Sequence, residues 1–265
     1  MNIDLDDKVV RFLVQDYVNH ICNYQSEEEL NFDVHKLIHT FMVVEMARRL
    51  IHETKPKLSI KLQKQILNAA VLHDLGRCHE FKNGIHIEHI DHGKKGADLI
   101  KKYFPSMKVE IQSTLYHNKC HSDRDPKMAQ PVLDYVRDAD MLANICYNTN
   151  HFDVFRVHIY GKYSPKILKL SVDDEIVKAA QEKRPANVAK IKNHNLLTLF
   201  LWQLCWCYNL RTKAGRNLAK KYHLFMRFKE VICQKVVPSV VLKKNQQCKL
   251  ISIIEQIFSD KIFNN

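Results

Sequence analysis

Glycine and proline are scarce in this chain of 265 residues, which has 6 of one and 7 of the other. Both interrupt helices, and a sheet with many tight turns needs them, so the shortage favours a helix-rich fold. No Cys-x-x-Cys pair occurs, and the 8 cysteines are scattered from Cys22 to Cys248. That pattern excludes a dense disulfide framework and reads as reduced thiols in a cytoplasmic protein. No run reaches the roughly 20 apolar residues of a membrane span. The longest nearly uncharged stretch, 195–210, is interrupted by Asn, Gln and Thr. The opening Met1-Asn2-Ile3-Asp4-Leu5-Asp6-Asp7 is too acidic for a secretory h-region. Internal repeats, low-complexity tracts and a clean linker are also missing, so the expectation is a single cytoplasmic domain with no membrane partner.

What is abundant is positive charge and apolar surface. The net charge is +12, and hydrophobic residues make up 46% of the chain, enough to bury a sizeable core. Such a charge attracts polyanions or phosphorylated small molecules. It also describes a solvated basic surface, and the Lys/Arg-rich C-terminal third reads that way. Nucleic acid is a compatible partner, although no known binding motif accompanies the charge.

Hydrophobic spacing predicts helices over 32–51, 60–75, 93–104, 106–116, 131–145, 195–210, 213–229 and 244–263. Ser59 suits an N-cap, Gly76 a C-terminal stop and Pro131 a first helical turn. Asn83-Gly84, Asp123-Arg124-Asp125-Pro126, Lys162-Tyr163-Ser164-Pro165 and Lys183-Arg184-Pro185 read as turns or loops. The class is all-α.

Within this pattern, ionisable residues stand where apolar ones are expected. The run Ile66-Leu67-Asn68-Ala69-Ala70-Val71-Leu72 ends in His73-Asp74. His39 lies within the 32–51 stripe. Asp140 follows Val136-Arg137-Asp138-Ala139 and precedes Met141-Leu142. Buried charges persist when paired or bound to metal. Three helices thus supply two imidazoles and two carboxylates for one centre. Mixed nitrogen and oxygen ligands suit Mn, Fe, Ni, Co or Zn more than Ca, and the lack of Cys at these positions argues against a structural Zn site. His35 competes with His39 from one turn earlier, and Asp138 competes with Asp140.

His92 opens the 93–104 segment and His117 closes the 106–116 segment. Each reads either as a ligand or as a surface residue. If both join the centre, six ligands suffice for two ions sharing Asp74, and two metals about 4 Å apart can jointly activate a water and neutralise a phosphoryl oxygen. His79, His86, His89 and His121 read as loop residues or substrate contacts. The Trp202–Trp206 stripe reads as core.

The ordered set His39, His73-Asp74 and Asp140 resembles the HD-domain superfamily of metal-dependent phosphohydrolases. His39-Thr40-Phe41-Met42-Val43 looks like that family's first-histidine helix. Leu72-His73-Asp74-Leu75-Gly76-Arg77 looks like its namesake motif, with Arg where Lys is common. Ala139-Asp140-Met141-Leu142 looks like its closing segment. His92-Gly93-Lys94-Lys95-Gly96-Ala97 and Tyr116-His117 are similar to the further histidine segments of two-metal members, with Asn118 where those members often carry a second His. The likeness covers about 34–150. The segment 201–210 has a looser likeness to a helix that follows the catalytic core in small bacterial members.

The resemblance implies an HD-type helical bundle, with a catalytic core over about 30–150 and a helical extension over about 151–265. It implies a metal-activated water attacking the phosphorus of a nucleotide or another small phosphate ester. The metal ligands would be His39, His73, Asp74, His92, His117 and Asp140, holding one or two divalent ions. Asp74 would bridge or orient the water. Arg77 and Lys94 would bind substrate phosphate, with Lys95 a competitor for the lysine's part. His117 or His92 would act as general acid if only one ion binds. A nuclease or cyclic-dinucleotide phosphodiesterase of the same fold is an alternative, though no Gly-Tyr-Pro segment follows His117. A non-catalytic nucleotide-sensing or interaction protein is another.

Overall fold

A computed structural model describes residues 5–82, 85–86, 91–118, 128–152, 172–192, 196–239 and 243–259. They form helices α1 (Asp7–Cys22), α2 (Glu27–Glu53), α3 (Ile60–Leu72), α4 (His92–Tyr103), α5 (Lys108–Tyr116), α6 (Val132–Asn150), α7 (Asp174–Gln181), α8 (Leu196–Leu204), α9 (Lys213–Lys221), α10 (Leu224–Val231) and α11 (Lys244–Ile257). The class is all-α. The one sheet among the described residues is a pair of two-residue strands, β1 (Phe81–Lys82) and β2 (Ile85–His86), antiparallel with Phe81 opposite His86. None of the described helices is long and apolar enough to cross a membrane. The chain divides into two compact units, one of 1–143 and 211–215, the other of 144–210 and 216–265.

In the first unit, side-chain caps start the helices where polar residues precede apolar stripes. Asp6 accepts from the Lys8 backbone N–H, Ser26 from Glu29, Ser59 from Leu62 and Asp91 from Lys94. Helix α1, not among the expected helices, buries Val9, Leu13 and Tyr17, each one turn from the next. Helix α3 buries Ile66, Leu67 and every residue from Ala69 to Leu72.

The end of α3 differs from the 60–75 expected of it. The helix stops at Leu72, and the chain tightens into shorter-range bonds: Leu75 N to Leu72 O at 3.2 Å, Arg77 N to Asp74 O at 2.9 Å and His79 N to Gly76 O at 3.2 Å. Those bonds lead into a 3-10 turn, Arg77–Glu80. Gly76 is not a left-handed stop, since its φ is −77°. Its lack of a side chain serves a close approach instead, because a Cβ there would collide with the backbone of His92 and Gly96 on α4.

Asp138, from α6, ties the segment Arg211–Gly215 into this unit. Its carboxylate accepts from Arg211 N at 2.9 Å, Thr212 N at 2.8 Å and Thr212 Oγ1 at 2.6 Å.

The second unit has its own aromatic core, with Phe200 stacked on Phe228 at 5.4 Å and met edge-on by Phe152 at 5.8 Å. The apolar 195–210 segment is α8 followed by a 3-10 turn, Cys205–Tyr208, rather than one helix. Trp202 and Trp206 pack edge to face at 5.0 Å. The 213–229 stretch breaks into α9 and α10 at His223, whose φ of 50° no helix interior allows. The expected turns at Asn83-Gly84, 123–126 and 162–165 lie outside the described residues.

Candidate metal centre

Helix α2 carries Lys36 and His39 one turn apart, on one face. The end of α3 delivers His73 and Asp74, the start of α4 His92, the end of α5 His117 and the middle of α6 Asp140. The six expected ligands converge. They fall into two groups, His39 with His73 and Asp140, and Asp74 with His92 and His117, in each of which the ligand atoms lie within 4.8 Å of one another.

Asp74 stands between the two. Its Oδ2 lies 3.9 Å from His39 Nε2 and 3.7 Å from His73 Nε2. Its Oδ1 lies 3.2 Å from His117 Nε2 and 3.7 Å from His92 Nε2. His39 Nε2 is 3.0 Å from Asp140 Oδ1, and His73 Nε2 is 4.0 Å from the same oxygen. Ligand atoms around one ion with bonds of about 2.1 Å stand about 3.0–3.4 Å apart, so these gaps are near coordination spacing.

The imidazoles are aimed by their outer nitrogens. His73 Nδ1 is 2.8 Å from the Ala70 carbonyl oxygen and His117 Nδ1 is 2.6 Å from that of Thr114. A carbonyl only accepts, so both Nδ1 atoms carry the proton and both Nε2 atoms turn a lone pair inward. His92 Nδ1 is held at 3.2 Å by Glu80 Oε1. Outer-shell acceptors of this kind fix metal-binding histidines. Two observations show that the donor set fits a cation. His73 Nε2 is buried with no hydrogen-bond partner among the described residues. The His117 lone pair also faces a carboxylate oxygen, an arrangement of two acceptors that a bound cation resolves.

Burial and neighbouring charge tune the groups. His39, His73, Asp74, His92 and His117 are all buried, whereas the Asp140 side chain is 26% exposed and forms the open edge. Burial lowers the His73 imidazole to about 4, so it is neutral and ready to ligate at pH 7. Burial alone would raise the Asp74 carboxyl, but the Arg77 guanidinium, with Lys36 also near, holds it well below the usual carboxylate range. Burial opposes ionisation of Asp140 too, and the His39 hydrogen bond brings its carboxyl down to about 2.

A shell of residues that sequence reasoning missed supports the ligands. Tyr17, buried on α1, donates to the Asp74 carbonyl oxygen at 3.2 Å. Glu80 accepts from Arg77 Nη1 at 2.7 Å, while Arg77 Nε lies 3.4 Å from Asp74 Oδ1. Buried Arg137 donates to the Tyr116 and His117 carbonyls at 2.6 and 3.3 Å, holding the end of α5. Lys36 Nζ stands 3.8 Å from Asp74 Oδ2. Only Lys36 carried a readable signal, as a cation one turn from His39.

The competitors separate by position. Asp138 is committed to the Arg211–Gly215 segment, and Asp140 to the cluster. His39 belongs to a metal-compatible group, while His35 belongs to none found among the described residues. Asn118 Nδ2 is 3.4 Å from His92 Nε2, so this amide occupies the edge of the second group. Arg77 reaches the cluster, but the side chains of Lys94 and Lys95 are exposed at the start of α4. His79 joins a different cluster. His89 and His121, and the side chain of His86, lie outside the described residues.

Residues 37–145 match the family model of the HD domain. No curated protein and no solved structure matches the chain.

Proposed function

With residues 37–145 an HD domain, we propose that this chain is a metal-dependent phosphohydrolase acting on a nucleotide or another small phosphate ester. The observation that carries the reading is the split of the Asp74 carboxylate. One oxygen faces His39 and His73, and the other faces His92 and His117. A carboxylate so placed suits a bridge between two divalent ions of the Mn, Fe, Ni, Co or Zn class.

His39, His73 and Asp140 would hold one ion, and His92 and His117 the other, with Asp74 shared. A bound ion supplies Lewis acidity toward a phosphoryl oxygen and lowers the pKa of a water. The chain's own residues do the rest. Asp74 orients the attacking water. Arg77, braced by Glu80, offers its guanidinium to a phosphate oxygen. Lys36 supplies a second cation beside Asp74, and exposed Lys94 is the further lysine candidate. With a single ion bound, His117, once also protonated at Nε2, would hand that proton to the leaving oxygen.

A phosphodiester substrate, with which the net charge of +12 is compatible, is the second reading. Metal analysis and assays of wild-type protein and the Asp74→Ala variant test the proposal. Phosphomonoesters, cyclic dinucleotides and single-stranded nucleic acid, each with Mn or Ni, form the panel. Asp74→Ala should lose both bound metal and turnover. Turnover retained by that variant with metal still present would defeat the reading, and saturable nucleotide binding without product under any metal would favour a sensor.

A further inference from the structure

A second group of ligand-type side chains lies outside the centre described above. Asp16 and His20 are four residues apart and share a face of α1. Cys78 and His79 are consecutive on the 3-10 turn that follows the His73-Asp74 dyad. One ligand atom from each of these four lies within 4.8 Å of the others. Cys78 Sγ is 3.2 Å from Asp16 Oδ2, and His79 Nε2 is 3.9 Å from the same oxygen. The His20 and His79 rings meet edge to face at 4.8 Å. His79 Nε2 is shielded from solvent and has no hydrogen-bond partner among the described residues.

Helix α2 adds negative charge behind His20. Glu29 and Asp33 form a further ligand group with that imidazole. Asp33 is fully buried, and neither of its oxygens has a hydrogen-bond partner among the described residues. Burying a carboxylate unpaired is costly, and a cation held by His20 beside it would ease that cost.

We propose that Asp16, His20, Cys78 and His79 form a second, structural metal site for a zinc-class ion. One thiolate, two imidazoles and one carboxylate are a tetrahedral zinc set, closed by four protein ligands. The ion clips α1 to the turn after the dyad. Tyr17, next to Asp16, donates to the Asp74 carbonyl, so the clip also holds the backbone of the HD dyad. The site stands independently of the hydrolase reading. It contains sulfur, and the six-residue centre contains none.

That difference supplies the test. Full-length protein, stripped of metal and titrated with cobalt(II), should develop a thiolate-to-cobalt charge-transfer band in the near ultraviolet. The band should persist in Asp140→Ala, whatever happens to hydrolysis there. Cys78→Ser should abolish it and lower bound cobalt by one ion per chain, with helical circular dichroism unchanged. If Cys78→Ser does not fold, His79→Gln, at a partly exposed position, should weaken cobalt binding at the band-forming site by about tenfold or more. No band in the wild type at saturating cobalt, or a band unchanged in Cys78→Ser or His79→Gln, would overturn the proposal.

Discussion

Lys36 Nζ lies 3.8 Å from Asp74 Oδ2, presented by the helix that presents His39 one turn later. Burial and the nearby Arg77 lower the lysine's pKa, while Asp74 raises it. On the proposed hydrolase reading, an ammonium so placed would release the carboxylate and take a substrate phosphate oxygen. Lys36→Met should leave metal content intact. It should reduce kcat/KM for a phosphate ester by about 10–100-fold, the loss of one charged hydrogen bond of about 1.5–3 kcal/mol. Lys36→Arg should recover part of that. Steady-state kinetics with parallel metal analysis decide it, and loss of metal from Lys36→Met would make the residue a positioning group.

Gly76 has no room for a methyl group, because the carbonyl of His92 and the backbone nitrogen of Gly96 occupy the place of a Cβ. Neither is the movable end of a side chain, so α4 must retreat. Gly76→Ala should destabilise the fold by about 3 kcal/mol or more. The retreat carries His92 away from Asp74, so metal affinity should fall with stability. Thermal unfolding with and without added Mn reads both effects.

Asp138 and Asp140 lie on one helix two residues apart, yet they predict opposite phenotypes. Asp138→Ala strands two backbone N–H groups and a hydroxyl at Arg211 and Thr212. It should cost about 3 kcal/mol or more and leave metal bound in the folded protein. Asp140→Ala removes one partly exposed carboxylate, hydrogen-bonded to His39, and should cost less metal-free stability than Asp138→Ala, while metal content drops. Chemical denaturation and elemental analysis of both variants would expose a swapped assignment.

The centre was legible because ionisable residues interrupt apolar patterns, as His39 does within its stripe and His73-Asp74 at the end of a buried run. Such interruptions are costly unless the residues meet something. The rest depended on contacts that sequence distance hides. Glu80 matters through the direction in which a 3-10 turn carries it to His92 and Arg77. Arg137 matters through the carbonyls of α5. Asp16, His20, Cys78 and His79 become neighbours only when α1 packs beside that turn. Helix α1 carries a stripe as readable as its neighbours', with Val9, Leu13 and Tyr17 each one turn apart. Glycine often ends helices, which makes Gly76 look like a stop in the sequence, whereas its role lies in tertiary crowding against His92 and Gly96.

Glu110 gives the pH dependence a location away from the ligands. It sits in the first turn of α5 and is 5% exposed. Burial raises its carboxyl above the ordinary 4.5, opposed by a backbone hydrogen bond. A raised folded-state pKa means that the native protein binds this proton more tightly than the unfolded chain does. The associated stability is therefore present below 4.5 and is lost as pH rises through the higher folded value. Glu110→Gln keeps the shape and removes the ionisation. The variant should match wild type near pH 4 and be the more stable of the two at pH 7, with a flatter stability profile between. Denaturant unfolding across that range tests the sign. An equal difference at both ends would assign the effect to packing, and a wild type gaining stability across the interval relative to the variant would show that the helix N-terminus, which favours negative charge, outweighs burial.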